Sequence, residues 1–171
     1  MKKTMFIVPL LVGLLINCSQ KGPNDDANVA LINTYIKAVE SNDVEKMADL
    51  LAENYIGIGP SVSDTTNKAT AIENWKINSE VLYESIKYSK SRVFPITVKE
   101  GDYPGEWVSN FAYLKVNYKN GDAVQLLTNT SYRIENGKIV NSFTFYNEAD
   151  ALEQLNYVFL DLDEITLPEY E

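Results

Sequence analysis

Side chains that commonly do chemistry at neutral pH are almost missing from this chain of 171 residues, which has no histidine and one cysteine, Cys18. Imidazole suits proton transfer near pH 7, and imidazole and thiolate are the usual ligands of zinc, copper and iron. The acidic stretches 24–26 and 161–164 lack the spaced, glycine-containing pattern of a calcium loop. We therefore expect no metal, no cofactor and no disulfide within one chain.

The surroundings of Cys18 indicate another use for its thiol. It follows two lysines and a run of apolar or small residues, 5–16, that is too short to span a membrane, since spanning needs about 20 residues in a helix. The segment Leu15-Ile16-Asn17-Cys18 resembles the bacterial lipobox, with Asn17 in place of the usual small residue. The resemblance implies a signal peptide cleaved before Cys18, a lipid on its sulfur and anchoring in the cell envelope. Because Ser19 is not the acidic residue linked with inner-membrane retention, we expect the outer membrane of a Gram-negative bacterium, with the domain outside the cytoplasm; an ordinary secretory signal is the alternative.

The acidic composition argues against nucleic acid as a partner. The chain has 24 acidic and 15 basic side chains, a formal net charge of −9, and loss of residues 1–17 would remove two lysines and no acid. Nucleic-acid binding rests on clustered Lys and Arg that neutralise phosphates, and the sequence has no such cluster. The length suits one domain with a sizeable core. We divide the chain into a signal peptide (1–17), a lipidated cysteine with a polar tether (18–27), a globular domain (28–147) and a C-terminal helix with an acidic tail (148–171).

Hydrophobic periodicity predicts helices in the first half of the domain and strands in the second. The predicted helices are one along 29–39, one capped by Asn42 and one capped by Thr65 or Thr66, with a short strand at 55–60 before the third. The later predicted elements are strands at 83–98, 106–118, 122–135 and 138–146 and a helix at 148–160. The pairs Asn120-Gly121 and Asn136-Gly137 favour two-residue type I′ hairpins. This order predicts an α+β fold, a cone-shaped roll with N-terminal helices on the concave face of a curved, mostly antiparallel sheet.

Five short segments, taken in their order and spacing, resemble the nuclear transport factor 2-like superfamily, which includes ketosteroid isomerases and SnoaL-like polyketide cyclases. The segments are 35–40, 42–44, 51–55 leading to Gly59-Pro60, 105–108 and 135–139. The resemblance covers about residues 28 to 147. It implies a pocket between the helices and the concave sheet face, and often a dimer contact on the outer face.

In the isomerase branch, a tyrosine on the first helix and an acidic donor on a late strand hold the substrate oxygen, and an aspartate before a proline is the base. Ungapped matching puts Tyr35, Asn129 and Gly59 at these three positions. Losing a positioned base lowers a rate by roughly 10² to 10⁴, so the resemblance does not extend to the isomerase proton transfer. Three other carboxylates could reach the pocket, but no spacing separates them from surface charge: Glu53, Asp64 and Glu73.

We predict four pocket residues: Tyr35, Trp75, Asn129 and Arg133. The first two lie at apolar positions of helices, which equally suits packing in the core. On the strand 122–135, alternation puts Asn129 and Arg133 on one face. If Asn129 points inward, Arg133 lies near the pocket opening; otherwise Arg133 pairs with Glu135 or another neighbour on the surface.

These features favour a lipid-anchored domain that binds a small, mostly apolar ligand without catalysis. Two alternatives remain open: a cyclase, isomerase or dehydratase that uses an unidentified pocket carboxylate, and an envelope module that interacts through the outer sheet face. The late strands carry more aromatic residues than one face of a small sheet needs. We therefore expect an aromatic patch on the outer face, and a homodimer contact there.

Overall fold

A computed structural model describes residues 22–159, and Cys18, the leader and the end of the acidic tail lie outside the described residues. Within 22–159, no helix is long and apolar enough to cross a membrane. The elements are α1 (Asp25–Glu40), α2 (Val44–Leu50), β1 (Leu51–Ile58), β2 (Thr65–Asn67), α3 (Lys68–Ile77), a π-helical turn (Asn78–Leu82), β3 (Tyr83–Val98), β4 (Gly105–Tyr118), β5 (Ala123–Glu135), β6 (Lys138–Phe145) and α4 (Glu148–Gln154).

The six strands form one mixed sheet in the order β2-β1-β6-β5-β4-β3. All neighbouring strands are antiparallel except β1 and β6, which run parallel. The sheet curls around two helices. Helix α1 packs on β3 and β4, and helix α3 packs on β1. The predicted α+β roll, with helices on the concave face, is confirmed. Among the described residues, the hydrophobic core lies between Val29 and Leu155.

Local capping differs from the prediction at two helix starts. The cap of α2 is Asp43, whose carboxylate accepts the Lys46 backbone N–H at 2.9 Å, and not Asn42, which adopts a φ of 55°. The cap of α3 is Asn67, which accepts from the backbone N–H of Thr70 at 3.0 Å. The two threonines predicted as caps lie in β2 instead. In both cases the capping residue stands one or two positions later, where its side chain reaches the third N–H of the helix.

The two Asn-Gly pairs build different turns. Asn136 and Gly137 both have positive φ values, 50° and 70°, which confirms the predicted two-residue hairpin between β5 and β6. At the other pair only Gly121 has a positive φ, and the backbone N–H of Gly121 donates to the Tyr118 carbonyl at 3.0 Å. A type I turn followed by a glycine bulge results, so the two-residue prediction is wrong there. The Asn120 side chain stabilises this longer loop by accepting the Asp122 backbone N–H at 3.1 Å.

The last helix is shorter than predicted and covers a free sheet edge. It ends at Gln154, because Asn156 turns the chain with a φ of 65°. The side-chain amide of Gln154 accepts the backbone N–H of Gln125 at 2.8 Å and donates to its carbonyl at 3.1 Å. Gln125 lies in the part of β5 that extends past the residues paired with β6. Gln154 therefore forms the hydrogen bonds that a neighbouring strand would otherwise make with this backbone.

Candidate ligand-binding cavity

A cavity of about 480 Å³ lies between the concave face of the sheet and the helices. Its deep end is apolar: the side chains of Ile86, Val116, Val124 and Leu126 line it and are at most 6% exposed. Its mouth is formed by the partly exposed rings of Tyr83, Tyr118 and Tyr146, with α4 beside them at Ala151.

Tyrosine is the commonest side chain in the cavity wall. Four tyrosines lie inside the mouth, and two of them, Tyr35 from α1 and Tyr132 from β5, pack edge to face with ring centroids 5.8 Å apart. At the mouth, the rings of Tyr83 and Tyr118 pack in the same manner at 5.3 Å. The full set of lining tyrosines is Tyr35, Tyr55, Tyr83, Tyr88, Tyr118, Tyr132 and Tyr146.

Burial keeps these phenols protonated. It raises the pKa of Tyr35 and of Tyr132 well above the ordinary value, and neighbouring tyrosines raise both further. It also raises the pKa of Tyr88 to about 12, with an added contribution from the Glu40 carboxylate, and the pKa of Tyr83 to about 12. A phenol that stays protonated at neutral pH donates a hydrogen bond but is a poor base. The cavity therefore presents neutral donors and acceptors.

A cluster of hydroxyl groups gives one wall of the cavity its polarity. The hydroxyl of Tyr55 lies 2.7 Å from Oγ of Ser142, and the hydroxyls of Thr130 and Thr144 lie 3.2 Å apart. Gly57 lines the same wall, and a Cβ atom there would lie 2.5 Å from the Tyr55 hydroxyl oxygen. Glycine at this position therefore leaves room for the Tyr55–Ser142 hydrogen bond.

No Asp, Glu, Lys or Arg of residues 22–159 lines the cavity. The Glu40 carboxylate lies near it but accepts the backbone N–H of Tyr88 at 2.8 Å. Glu53 forms an exposed ion pair with Lys68 at 2.7 Å, which lowers the pKa of its carboxyl through a hydrogen bond and charge attraction. Within the same range, no group of three or more His, Cys, Asp and Glu side chains could hold a metal ion.

The position matched to the isomerase base cannot easily hold a carboxylate. Gly59 lines the cavity with a φ of 107°, a conformation that side chains with a Cβ rarely adopt. A Cβ atom at this position would lie 2.1 Å from the carbonyl oxygen of Thr144. An aspartate at position 59 would therefore require the backbone of β6 to move.

Two of the four predicted pocket residues line the cavity. Tyr35 and Trp75 both contribute to its wall. Asn129 and Arg133 lie on the opposite, convex face, so their placement in the cavity is wrong. Asn129 donates there to Oγ of Ser109 at 2.7 Å.

The alternation of β5 explains this outcome. Residues 124, 126, 130 and 132 of this strand reach the cavity, so the intervening positions of Asn129 and Arg133 face the other way. The alternative for Arg133 is confirmed, because its guanidinium pairs with Glu135 at 2.6 Å and donates to the carbonyl of Pro104 at 2.9 Å. Counting by two along the strand separates the two faces, but it does not say which face is concave. For the same reason, the sequence did not identify Tyr132 as a residue that lines the cavity.

The convex face has a covered half and an open half. In the covered half, Trp107 is 6% exposed and stacks on Phe143 with ring centroids 5.4 Å apart. In the open half, Phe94 and Phe111 stack at 5.9 Å but remain 39% and 46% exposed. The open half continues as a groove with basic residues at its edge, lined by Lys90, Arg92, Phe94, Phe111, Ala112, Tyr113 and Leu127.

No family model and no curated protein sequence matches the chain, whereas solved structures do. A candidate polyketide cyclase from Xanthomonas campestris pv. campestris has a TM-score of 0.65 at 15% identity, over 77% of this chain and 98% of that one. An LEH-like epoxide hydrolase from M. tuberculosis has a TM-score of 0.63 at 9% identity, over 78% and 92%. An NTF2-like protein from Burkholderia xenovorans LB400 has a TM-score of 0.60 at 14% identity, over 78% and 98%. At these identities the likeness establishes the fold alone, and the chain has the nuclear transport factor 2-like fold.

Proposed function

We propose that this chain is a lipid-anchored binding domain of the cell envelope, which holds a small, mostly apolar ligand in its cavity without catalysis. The observation that carries the proposal is the cavity wall, whose described residues include no carboxylate, ammonium or guanidinium group. Phenols with raised pKa values cannot replace a base at neutral pH. The fold itself hosts unrelated functions, so the wall and not the fold supports this proposal.

The size and lining of the cavity suit such a ligand. Its volume of about 480 Å³ lies within the range of small-molecule sites, which are mostly apolar with a few placed polar groups. Aliphatic side chains at the deep end would remove the body of a ligand from water. The paired hydroxyls of Tyr55 and Ser142 could orient a carbonyl or hydroxyl group of the ligand, because both can donate and accept hydrogen bonds.

A cavity-filling variant tests the proposed binding. Ala71 of α3 lines the cavity and is 8% exposed, so Ala71→Leu would place three additional carbon atoms in the space. We expect at least a tenfold loss of affinity for any ligand found by native mass spectrometry or by thermal-shift screening. The matched control is Ala69→Leu, on the exposed side of the same helix. Ligand binding that Ala71→Leu leaves intact would place the site elsewhere and contradict the proposal.

The anchoring part of the proposal rests on the sequence around Cys18. Seven positions separate Cys18 from Asp25, the first residue of α1, so an extended tether reaches at most about 25 Å. A lipid on Cys18 would therefore keep the domain close to the membrane surface. Metabolic labelling with a radioactive fatty acid should mark the wild-type protein, and Cys18→Ser should remove the label. Labelling that persists in Cys18→Ser would contradict lipidation at this residue.

A second candidate function is self-association through the open half of the convex face. Phe111, Leu127 and Phe145 are 46%, 64% and 58% exposed and lie on neighbouring strands, an apolar surface typical of a contact site. A second copy of the chain fits because a two-fold contact would stack these rings against one another. Light scattering should report a dimer for the wild type and a monomer for Phe111→Glu. A wild-type monomer at high concentration would exclude this contact.

A further inference from the structure

We propose that the ligand of the cavity is an amphipathic cation, with its apolar body at the deep end and a positively charged amino group at the mouth. This inference rests on the proposed binding function and specifies the chemistry of the ligand. It follows from a difference between the two ends of the cavity. The deep end is aliphatic and buried, whereas the aromatic rings of the mouth have exposed carboxylates near them.

The three mouth tyrosines provide aromatic surface around one opening. Tyr83 and Tyr118 pack at 5.3 Å, and Tyr146 is close enough to both to interact electrostatically with each. All three are partly exposed, so a bound group could reach their rings from the cavity. Aromatic faces attract cations within about 6 Å of the ring centroid, and several rings together favour ammonium groups that carry methyl substituents.

Exposed carboxylates lie near two of these rings. Glu148 follows Tyr146 by two residues, and the backbone carbonyl of Asp122 accepts the N–H of Tyr118 at 2.8 Å. Burial raises the pKa of both phenols, and the charges of Glu148 and Asp64 at Tyr146 and of Asp122 at Tyr118 raise it further. None of the three forms an ion pair with a Lys or Arg of residues 22–159. Glu148 accepts a hydrogen bond from the Ser61 hydroxyl at 2.7 Å, and Asp122 accepts one from the Asn120 amide at 2.8 Å. Within residues 22–159, no ammonium or guanidinium group therefore neutralises their negative charge.

The charged group must lie at the mouth and not at the deep end. A cation at the deep end would lose its hydration among aliphatic side chains that offer no counter-charge, which is costly. At the mouth it stays partly hydrated and within the field of the carboxylates. Lys119, in the loop next to Tyr118, donates its ammonium to the carbonyl oxygen of Glu80. An anionic group would meet repulsion at the mouth and no cationic side chain among the described residues that line the cavity.

Three probes that share one apolar body test the charge preference directly. The body is a 4-phenylbutyl chain, and the ends are trimethylammonium, its uncharged tert-butyl isostere and carboxylate. Calorimetry would use the chain from residue 19 onward, which contains every core residue of the described range 22–159. We expect the ammonium probe to bind about tenfold more tightly than the tert-butyl probe, with an advantage that shrinks as salt is raised, and the carboxylate probe to bind most weakly.

The outcomes separate this inference from the function on which it rests. If the tert-butyl probe binds as tightly as the ammonium probe, the cation preference is wrong and the apolar binding site stands. If no probe binds, both are wrong. If the ammonium probe binds but Ala71→Leu does not weaken it, the cation is held outside the cavity, and the inference is again overturned.

Isosteric variants locate the charge effect. The double variant Asp64→Asn/Glu148→Gln removes two negative charges near Tyr146 with little change in shape. We expect it to weaken the ammonium probe about fivefold and the tert-butyl probe much less. The control is Glu84→Gln, an exposed carboxylate on β3 outside the mouth, which should change neither affinity. Equal losses for both probes would indicate a structural role of the two carboxylates and contradict the inference.

Discussion

The concave and convex faces of the same sheet both carry aromatic rings, but the rings differ in kind and in surroundings. On the concave side, seven tyrosines from the sheet, from helix α1 and from the segment after β6 border a cavity whose described wall has no charged side chain. On the convex face, phenylalanine and tryptophan dominate, as in the stacked pairs Trp107–Phe143 and Phe94–Phe111. Charged groups occur here as well, among them Arg133 paired with Glu135.

The two faces also differ in how completely their aromatic rings are packed. On the convex face, Trp107 stacks on Phe143, donates to the Tyr103 carbonyl and is only 6% exposed. Trp75 belongs to the concave side, is partly exposed, and borders empty space. Side chains at a cavity lack partner atoms on one side and contribute less dispersion energy. The covered half of the convex face should therefore stabilise the fold more per ring, and the part of the cavity wall at Trp75 should be more tolerant of change.

The two tryptophans give the largest expected effect and the most direct test of this comparison. Trp107→Ala should cost about 3–5 kcal/mol of unfolding free energy, because it leaves a cavity and removes the indole donor that reaches the Tyr103 carbonyl at 3.0 Å. Trp75→Ala should cost about half as much, because it only enlarges an existing space. Urea unfolding monitored by circular dichroism measures both. Equal losses would mean that the cavity wall is packed as tightly as the convex face.

Two glycines with nearly the same backbone give the next effect. Gly59 in the cavity wall has a φ of 107°, and Gly101 in the loop after β3 has a φ of 105°. A Cβ at Gly59 would lie 2.1 Å from the Thr144 carbonyl oxygen, whereas nothing lies within 4 Å at Gly101. Both Gly→Ala variants carry the strain of positive φ, and Gly59→Ala adds steric overlap, so it should lose about 2 kcal/mol more. Equal losses of unfolding free energy in the two variants, measured by urea unfolding, would show that the backbone of β6 shifts to make room for the Cβ atom at position 59.

Raising the pH should lower the free energy of unfolding through the tyrosines of the concave side. Burial raises the pKa of Tyr83 and of Tyr88 to about 12 in the folded chain, above the ordinary value near 10. The stabilisation that comes from keeping these phenols protonated in the folded chain is fully present below pH 10. Above it, the unfolded state releases protons that the folded state keeps, so the free energy of unfolding falls as the pH rises from 10 towards 12. Each such tyrosine lowers it by up to about 1.4 kcal/mol per pH unit.

Urea unfolding at several pH values between 9 and 12 measures this slope. Tyr88→Phe should flatten it, because this variant removes one of the buried phenols. Tyr157→Phe is the control, since Tyr157 is 63% exposed near the end of the described chain. A slope that Tyr88→Phe leaves unchanged would show that this phenol is not responsible for the pH dependence.

Hydrophobic periodicity along the chain was sufficient to predict the α+β fold. The stripe of α1 includes Ile32, Ile36 and Val39, and all three are buried against the sheet as predicted. The long strands agree within one residue at most ends, because turn residues separate them. The failures are at positions where a neighbour in space decides. Asp43 and not Asn42 caps α2, and the Asn120 side chain stabilises a loop that is longer than the predicted two-residue turn.

The candidate site was less accessible to sequence reasoning than the fold. Alternation correctly grouped Asn129 with Arg133, but only tertiary structure decides which face of β5 is concave. Tyr35 and Trp75 were found because helices on a sheet have one obvious inner face. Tyr55, Tyr83 and Tyr146 come from separate elements, and no local spacing relates them. Their meeting around one cavity depends on the curl of the sheet, which a one-dimensional pattern does not encode.

The smallest expected effect compares one hydroxyl pair on each face. Tyr55 and Ser142 lie 2.7 Å apart and are buried at the cavity wall, so Tyr55→Phe and Ser142→Ala should each cost about 1 kcal/mol. On the convex face, Ser109 and Ser131 lie 3.0 Å apart, but Ser109 also receives the Asn129 amide at 2.7 Å. Its hydrogen bonding is therefore shared, and loss of one partner is compensated by the other.

Double-mutant cycles for the two pairs isolate the coupling energies. We expect about 1 kcal/mol between Tyr55 and Ser142 and less than about 0.5 kcal/mol between Ser109 and Ser131, because only the first pair depends on a single buried partner. Tyr55→Phe keeps the ring, so any change in the first cycle comes from the hydroxyl and not from lost packing. A larger coupling on the convex face would reverse the comparison, because the hydroxyl pair of the cavity wall would then contribute less to the fold than the pair on the convex face.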